Sequence, residues 1–174
     1  MGTATSTPPR AREPDFADCY YAYYGRLAAQ LNAYLGDAAA AEDVAQEAFL
    51  RAWQHWKRIS GYDDPFAWIR RVAWNLATSH WRRVVREARL ARRHRATSTV
   101  VEAIGPENVA LVAALRGLRP NHRRVIVLHY LADLPIAEIA IDLNAPRGTV
   151  LSWLHRGRAE LAAQLGNQKE GRRS

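Results

Sequence analysis

Hydrophobic residues recur along this chain with a period near 3.6, and the elements they predict are almost all helices. Phe16, Cys19, Tyr20, Tyr23, Leu27 and Leu31 form one apolar face of a helix over Asp15 to Tyr34, which ends at Gly36. Asp37 stands where it can cap a second helix from Ala38 to Trp56, with Val44, Ala48 and Ala52 as its stripe and Phe49, Trp53 and Trp56 widening it. Ile59 to Pro65 interrupts the pattern. Pro65 suits the opening of a third helix, from Phe66 to about Arg86 or further, because its missing N–H has no partner in a first turn. The buried line of that helix is Ile69, Val72, Ala73 and Leu76. Periodicity lapses between Ala96 and Pro106, where Thr97-Ser98-Thr99 and Gly105-Pro106 read as a linker. Helices over Val109 to Leu118 and Asn121 to Leu131 follow, with Leu111, Leu115, Leu118, Val125, Ile126, Leu128 and Tyr130 as the expected core of a second unit.

The segment from Leu134 to Arg158 completes that unit as two short helices around a tight turn. Ile136, Ile139, Ala140 and Leu143 make the inner stripe of the first, and Val150, Leu154, Gly157 and Leu161 that of the second. Asn144 tolerates the positive φ that such a turn needs, and Pro146 suits the start of the next helix. The predicted fold class is therefore all-α: two small helical domains joined by a flexible linker, the C-terminal one a helix-turn-helix. Its boundaries are a disordered tail over 1–14, a first domain over 15–95, the linker over 96–106, a second domain over 107–166 and a tail over 167–174.

Charge sharpens this picture through its distribution. The whole chain is +8, but residues 1–50 hold 3 basic and 7 acidic side chains whereas residues 51–96 hold 12 and 3. An acidic front beside a basic middle suggests two different partners, the basic part attracting polyanions. No apolar run is long enough to span a membrane, and residues 1–14 do not resemble a signal peptide, so a cytoplasmic protein is expected. The single Cys19 rules out an internal disulfide framework and reads as a small core residue. The tyrosines at 20, 21, 23 and 24 read as packing.

On the third helix Arg70, Trp74, Thr78 and Trp81 recur at helical spacing, with Arg71, Arg82 and Arg83 at the margins. Cationic and aromatic side chains alternating on one surface suit single-stranded DNA, which gains phosphate attraction plus roughly 1–3 kcal/mol per stacked base. Trp68 is expected in the core, and Trp74 or Trp81 at least partly exposed. The run from Arg82 to Arg95 contains seven arginines and one glutamate, equally suited to tracking phosphates and to a solvated face. On the last helix, Ser152 and His155 project opposite the buried stripe, with Leu151 at the edge and Arg147, Arg156 and Arg158 flanking. This places Ser152 and His155 against base edges in a major groove and the arginines on phosphates or guanines. On the second helix Asp43, Gln46 and Glu47 share one face by their i, i+3, i+4 spacing. Nothing points to catalysis: the six histidines form no HxxxH pair, and neither a phosphate loop nor a nucleophile elbow occurs. No catalytic residue, metal site or cofactor is expected.

The run Ala41 to Trp53, with Pro65-Phe66-Ala67-Trp68-Ile69-Arg70-Arg71-Val72-Ala73-Trp74-Asn75-Leu76-Ala77 after it, resembles region 2 of the bacterial extracytoplasmic function (ECF) sigma factors of the sigma-70 family. Leu118 to Leu128 and the helix-turn-helix resemble region 4 of the same proteins. The resemblance implies an RNA polymerase sigma factor whose partners are core polymerase, promoter DNA both duplex and melted, and an anti-sigma factor. Asp43, Gln46, Glu47 and Arg51 would dock on the clamp helices of the polymerase's largest subunit. Arg70, Arg71, Trp74, Asn75, Thr78, Trp81, Arg82 and Arg83 would engage the melted minus-ten element, with Asn75 and the loop Ser60 to Asp64 holding a flipped base. Arg147, Thr149, Leu151, Ser152, His155, Arg156 and Arg158 would read the minus-thirty-five element. The linker would thread near the polymerase's active-site and RNA-exit channels. Members of the family often carry a basic residue where Leu151 stands and an arginine at the position of Trp153, so their promoter sequences do not transfer to this chain. The competing reading is a helix-turn-helix regulator that binds duplex DNA without polymerase.

Overall fold

The computed structural model describes residues 15–92 and 106–171, and among them every regular element is helical. The order is α1 (Phe16–Leu35), α2 (Ala38–Gln54), α3 (Trp56–Ile59), α4 (Pro65–Arg92), α5 (Pro106–Arg116), α6 (Pro120–Tyr130), α7 (Ile136–Leu143) and α8 (Arg147–Gly171). Local chemistry sets most boundaries. Gly36 takes φ 71° and donates its N–H to the Asn32 carbonyl, closing α1. The Asp37 carboxylate then accepts the Ala40 N–H at 3.1 Å and starts α2. Asp64 accepts from the Ala67 N–H at 2.9 Å and does the same for α4. Asn144 adopts φ 47° and ends α7 as expected.

Several expectations shift. The second helix stops at Gln54 rather than reaching Trp56, because the chain turns at His55 and restarts as the single turn α3. The C-terminal tail expected from 167 is helical as far as Gly171, a continuation of α8, and Pro106, expected to close the linker, opens α5. The tail over 1–14 and the linker positions 96–105 lie outside the described residues.

Helices α1, α2 and α4 pack around Leu27, Leu31, Val44, Ala48, Phe49, Ile59, Ile69 and Ala73. In the second unit α6 and α8 cross against α5 and α7 around Leu115, Val125, Val127, Leu128, Ile139 and Val150. Leu111 and Tyr130, expected in that core, are exposed: Val127 and the inner faces of α7 and α8 fill the space instead. Trp53 is likewise on the surface, and Trp68 is half-buried against the core rather than inside it. The two units are not separate: α1 packs on α5 and α6, and their buried residues form one continuous core.

The junction is polar as well as apolar. Arg123 of α6 is buried and donates from Nη1 to the Tyr34 carbonyl at 2.7 Å and from Nη2 to the Arg116 carbonyl at 2.7 Å and the Leu118 carbonyl at 3.3 Å. A single guanidinium thus satisfies carbonyls left unpaired at the C-terminal ends of α1 and α5, where the helix dipole also favours a cation. Burial pulls Arg123 below the ordinary guanidinium range, yet a group that begins so high stays charged. Gln30 adds a hydrogen bond from Nε2 to the Leu131 carbonyl at 3.3 Å.

Candidate nucleic-acid and protein interfaces

On α2, buried alanines and Phe49 face α1 and α4 and leave an outward face carrying Asp43, Gln46, Glu47 and Arg51. Arg51 Nε donates to Glu47 Oε1 at 2.7 Å, an i, i+4 pair in which both side chains remain nearly half exposed. Screening by solvent makes such a pair a weak stabiliser and leaves both groups available to a partner. Two large apolar side chains lie on the same surface: Leu50, not singled out from the sequence, is 51% exposed, and Trp53, expected in the apolar stripe, 60%. Their spacing from Asp43 and Gln46, at positions 43, 46, 50 and 53, is itself a helical stripe and was the available signal. Asp43 and Glu47 also border a groove whose far side is His80, Arg83 and Arg86 of α4, so the acidic and basic surfaces meet there.

On α4 the eight residues expected against single-stranded DNA divide. Asn75, Arg82 and Arg83 are exposed and Trp81 is partly so, with Arg83 Nη2 lying 3.3 Å from His80 Nδ1. Arg86 is exposed as well, while the side chains of Arg89 and Arg92, and the whole of Arg93 to Arg95, fall outside the described residues. Arg70 and Trp74 are turned the other way, being 5% and 1% exposed. The Arg70 side chain is covered by α7: its Nε donates to Asp142 Oδ2 at 3.2 Å, and its Nη2 lies 3.6 Å from Glu138 Oε2. Arg71 reaches the same carboxylate, Nη2 to Asp142 Oδ1 at 3.3 Å. Trp74 sits between Tyr34, with ring centroids 5.1 Å apart, and the Arg124 guanidinium, 5.4 Å from the indole. Arg124 Nη1 donates to Thr78 Oγ1 at 3.2 Å, and Thr78 donates onward to the Trp74 carbonyl at 2.7 Å. Burial pushes the Tyr34 hydroxyl above the ordinary phenol range, against the opposing pull of Arg124 and Arg123. The expected exposure of an aromatic on this helix thus holds at Trp81 and not at Trp74, because α6 and α7 cover half of the face.

On α8 the inner stripe is as expected, with Val150, Leu154 and Gly157 buried and Leu161 partly so. Trp153 also packs against the core. The opposite side presents Leu151, His155, Arg156 and Arg158 to solvent, with Arg147 at the helix start, and Ser152 and Thr149 partly exposed. These side chains lie on the side of α8 away from its buried stripe, with α7 packed against the helix. Among the described residues no group of histidine, cysteine and acidic side chains is arranged to hold a metal ion, and no helix is long and apolar enough to cross a membrane.

Comparison with known proteins follows the same division. The profile of Sigma-70 region 2 matches residues 19–87, and that of Sigma-70, region 4 matches residues 108–161. The chain is 32% identical over 165 residues to the ECF RNA polymerase sigma factor SigW of Bacillus subtilis, covering 86% of this chain and 88% of SigW. It is 38% identical over 133 residues to the ECF RNA polymerase sigma factor SigL of Mycobacterium tuberculosis, covering 69% and 71% of the two chains. In fold it is similar to the sigma factor RpoE of Bartonella quintana, solved in complex with the anti-sigma factor NepR, with a TM-score of 0.74 at 21% identity over 87% of this chain and 97% of that one. CnrH, solved with the cytosolic domain of CnrY, gives a TM-score of 0.62 at 24% identity over 87% and 88%.

Proposed function

The chain belongs to the ECF RNA polymerase sigma factors of the sigma-70 family, and from that membership we propose a division of labour among its three surfaces. As a sigma factor it binds core polymerase and directs promoter recognition and opening for transcription initiation. The α2 face of Asp43, Gln46, Glu47 and Arg51 docks on the polymerase, and Leu50 and Trp53 belong to the same contact. The observation that carries this assignment is the exposure of Leu50 and Trp53 beside the acidic stripe. Large apolar side chains flanked by charges mark a protein-binding surface far better than a solvated polar face.

The α4 face engages the melted minus-ten strand through Arg71, Asn75, Thr78, Trp81, Arg82 and Arg83, whereas Arg70 and Trp74, expected on it, lie buried behind that face. The α8 face reads the minus-thirty-five duplex: Ser152 and His155 meet base edges, Leu151 meets a thymine methyl, and Arg147, Thr149, Arg156 and Arg158 hold the backbone or guanines. The chemistry of RNA synthesis stays with the polymerase, and this chain contributes no catalytic residue and no cofactor. It works in the cytoplasm, on the nucleoid. An anti-sigma factor is its natural antagonist, as NepR and CnrY are the partners of the two structural relatives.

Reconstitution tests the reading. The full chain with bacterial core polymerase should give promoter-dependent run-off transcripts from a template library. Asp43→Arg with Gln46→Ala should weaken core binding by tenfold or more while leaving duplex binding by the free chain unchanged, about 1.4 kcal/mol being one decade. Core affinity equal to that of the parent would remove the docking assignment. A helix-turn-helix regulator independent of polymerase would instead show strong sequence-specific duplex binding alone and no transcript.

A further inference from the structure

A cavity of about 700 Å³ opens where α1, the loop before α4 and the turn after α6 meet, and none of the three surfaces above accounts for it. That volume is in the range of small-molecule sites. Its buried wall includes Cys19 and Gln30 of α1, and its exposed rim carries Asp18, Asp63 and Asp64 against the single free guanidinium of Arg26. Arg70 also lines it, but Asp142 and Glu138 already match that charge, so the rim is acidic on balance. The apolar part of the wall is aromatic: Tyr23 and Phe66 lie stacked, with ring centroids 4.1 Å apart and planes 11° from parallel, and Trp56 completes it. Gln30 is 4% exposed; its Nε2 donates to the Leu131 carbonyl at 3.3 Å, while its Oε1 has no hydrogen-bond partner. The bond to Leu131 fixes which way the amide points, because the opposite orientation would set two carbonyl oxygens against each other. A buried acceptor left unpaired in a cavity wall is costly, and an N–H group entering the cavity relieves that cost.

We propose that this cavity is a binding site for a small organic cation, whose N–H group is accepted by Gln30 Oε1, whose flat body lies along Tyr23 and Phe66, and whose charge is matched by Asp18 and Asp63. Three features of the site select this class together. The acceptor asks for a donor, the aromatic wall favours a flat or cationic group over its rings, and the rim carboxylates attract positive charge. Asp64 contributes to the same field while one of its oxygens caps α4 at the Ala67 N–H. Its carboxylate also adds to the effect of burial in holding the Cys19 thiol protonated. A nucleotide fits these terms poorly, since its phosphate would meet the acidic rim. The occupant is therefore distinct from the promoter strands read by α4 and α8, and the site is a property of the chain apart from its DNA surfaces.

The test titrates the full chain with benzamidine, a flat cation bearing N–H donors, and follows the amide resonances by NMR. Benzoate, which keeps the ring and reverses the charge, and deoxyadenosine monophosphate serve as comparisons. Benzamidine should saturate with a dissociation constant of about 1 mM or tighter, shifting the Gln30 side-chain amide and the backbone amides of Arg26 and Phe66. Gln30→Met should weaken it by about tenfold, the loss of one hydrogen bond to a charged donor. Asp63→Asn, at an exposed position where the fold is not at stake, should weaken it a few-fold, and by less as salt is added. Glu42→Gln, exposed on α2, should leave it unchanged. Circular dichroism reports whether each variant keeps its helices. No saturable benzamidine binding by the folded chain would overturn the site. Binding that Gln30→Met and Asp63→Asn both leave intact would overturn its placement in this cavity, and tighter binding of benzoate or of the nucleotide would overturn the assignment to a cation.

Discussion

A hydrogen is all that fits on the α6 side of Gly157. A Cβ there would stand 3.1 Å from Ile126 Cγ1 and 3.2 Å from both the Cβ and the backbone carbonyl oxygen of His122. The side chain of Ile126 can turn aside, but the His122 carbonyl belongs to α6 and cannot, so α6 and α8 would have to move apart. Gly157→Ala is expected to lower stability by about 1–3 kcal/mol, read as a fall in the thermal midpoint, in spite of the better helix propensity of alanine. The periodicity of α8 already put Gly157 on the buried stripe; which residue it must admit was not legible, because α6 lies some thirty positions earlier in the chain. Cys19 carries a second residue-scale expectation. Burial, with a smaller push from Asp64, raises its thiol from 9.0 to about 11. Two units leave about a hundredfold less thiolate at pH 8, so alkylation of the native chain should be slower than that of the urea-unfolded chain by at least that factor. The folded value being raised, the thiol stays protonated in the native state up to nearly pH 11, and reactivity should climb only as pH approaches it.

At the scale of single helices the sequence was most transparent. The cap at Asp37, the stop at Gly36 and the left-handed Asn144 depend on neighbours within four residues, which a reader of the chain can see. Stripes were legible for the same reason, since the 3.6 period places i, i+3 and i+4 together whatever lies opposite. What α2 does with its outer face was half legible: the acids and Gln46 were evident and Leu50 and Trp53 continue their stripe, but only the approach of α1 and α4 from the other side decided that this stripe faces out. For α8 the two kinds of contact predict different phenotypes. Ser152→Ala and His155→Ala should relax sequence preference at single base positions, by about 1–3 kcal/mol where a paired contact is lost. Arg156→Ala or Arg158→Ala should weaken all duplexes about equally and reduce the salt slope by about 1 for each phosphate contact removed. Binding titrations at several salt concentrations on a promoter panel separate the two.

Over the whole molecule, the joining of two units into one core has a thermodynamic signature. The Arg123 guanidinium ties the end of α1 to the end of α5, and Tyr34 and Trp74 of the first unit lie under Arg123 and Arg124 of the second. The free chain should therefore unfold in one calorimetric transition whose measured and van't Hoff enthalpies agree. Arg123→Ala leaves the Tyr34 and Leu118 carbonyls buried without their donor and the Arg116 carbonyl partly so, and should cost about 2–3 kcal/mol and split or broaden the transition as the units lose their coupling. Helix content, the position of the helix-turn-helix, the acidic and basic halves and the division into two family regions all follow from residues close together in the chain, and the sequence by itself determined them. It did not determine that Arg70 meets a carboxylate 72 positions away, nor that Trp74 lies at a junction rather than on a surface. Periodicity states which face of a helix is shielded from water and is silent on what shields it. An arginine-tryptophan surface is satisfied equally by a nucleic acid and by the acids and guanidinium of a second domain, and only the packing of α6 and α7 on α4 decided which of them holds it in the free chain.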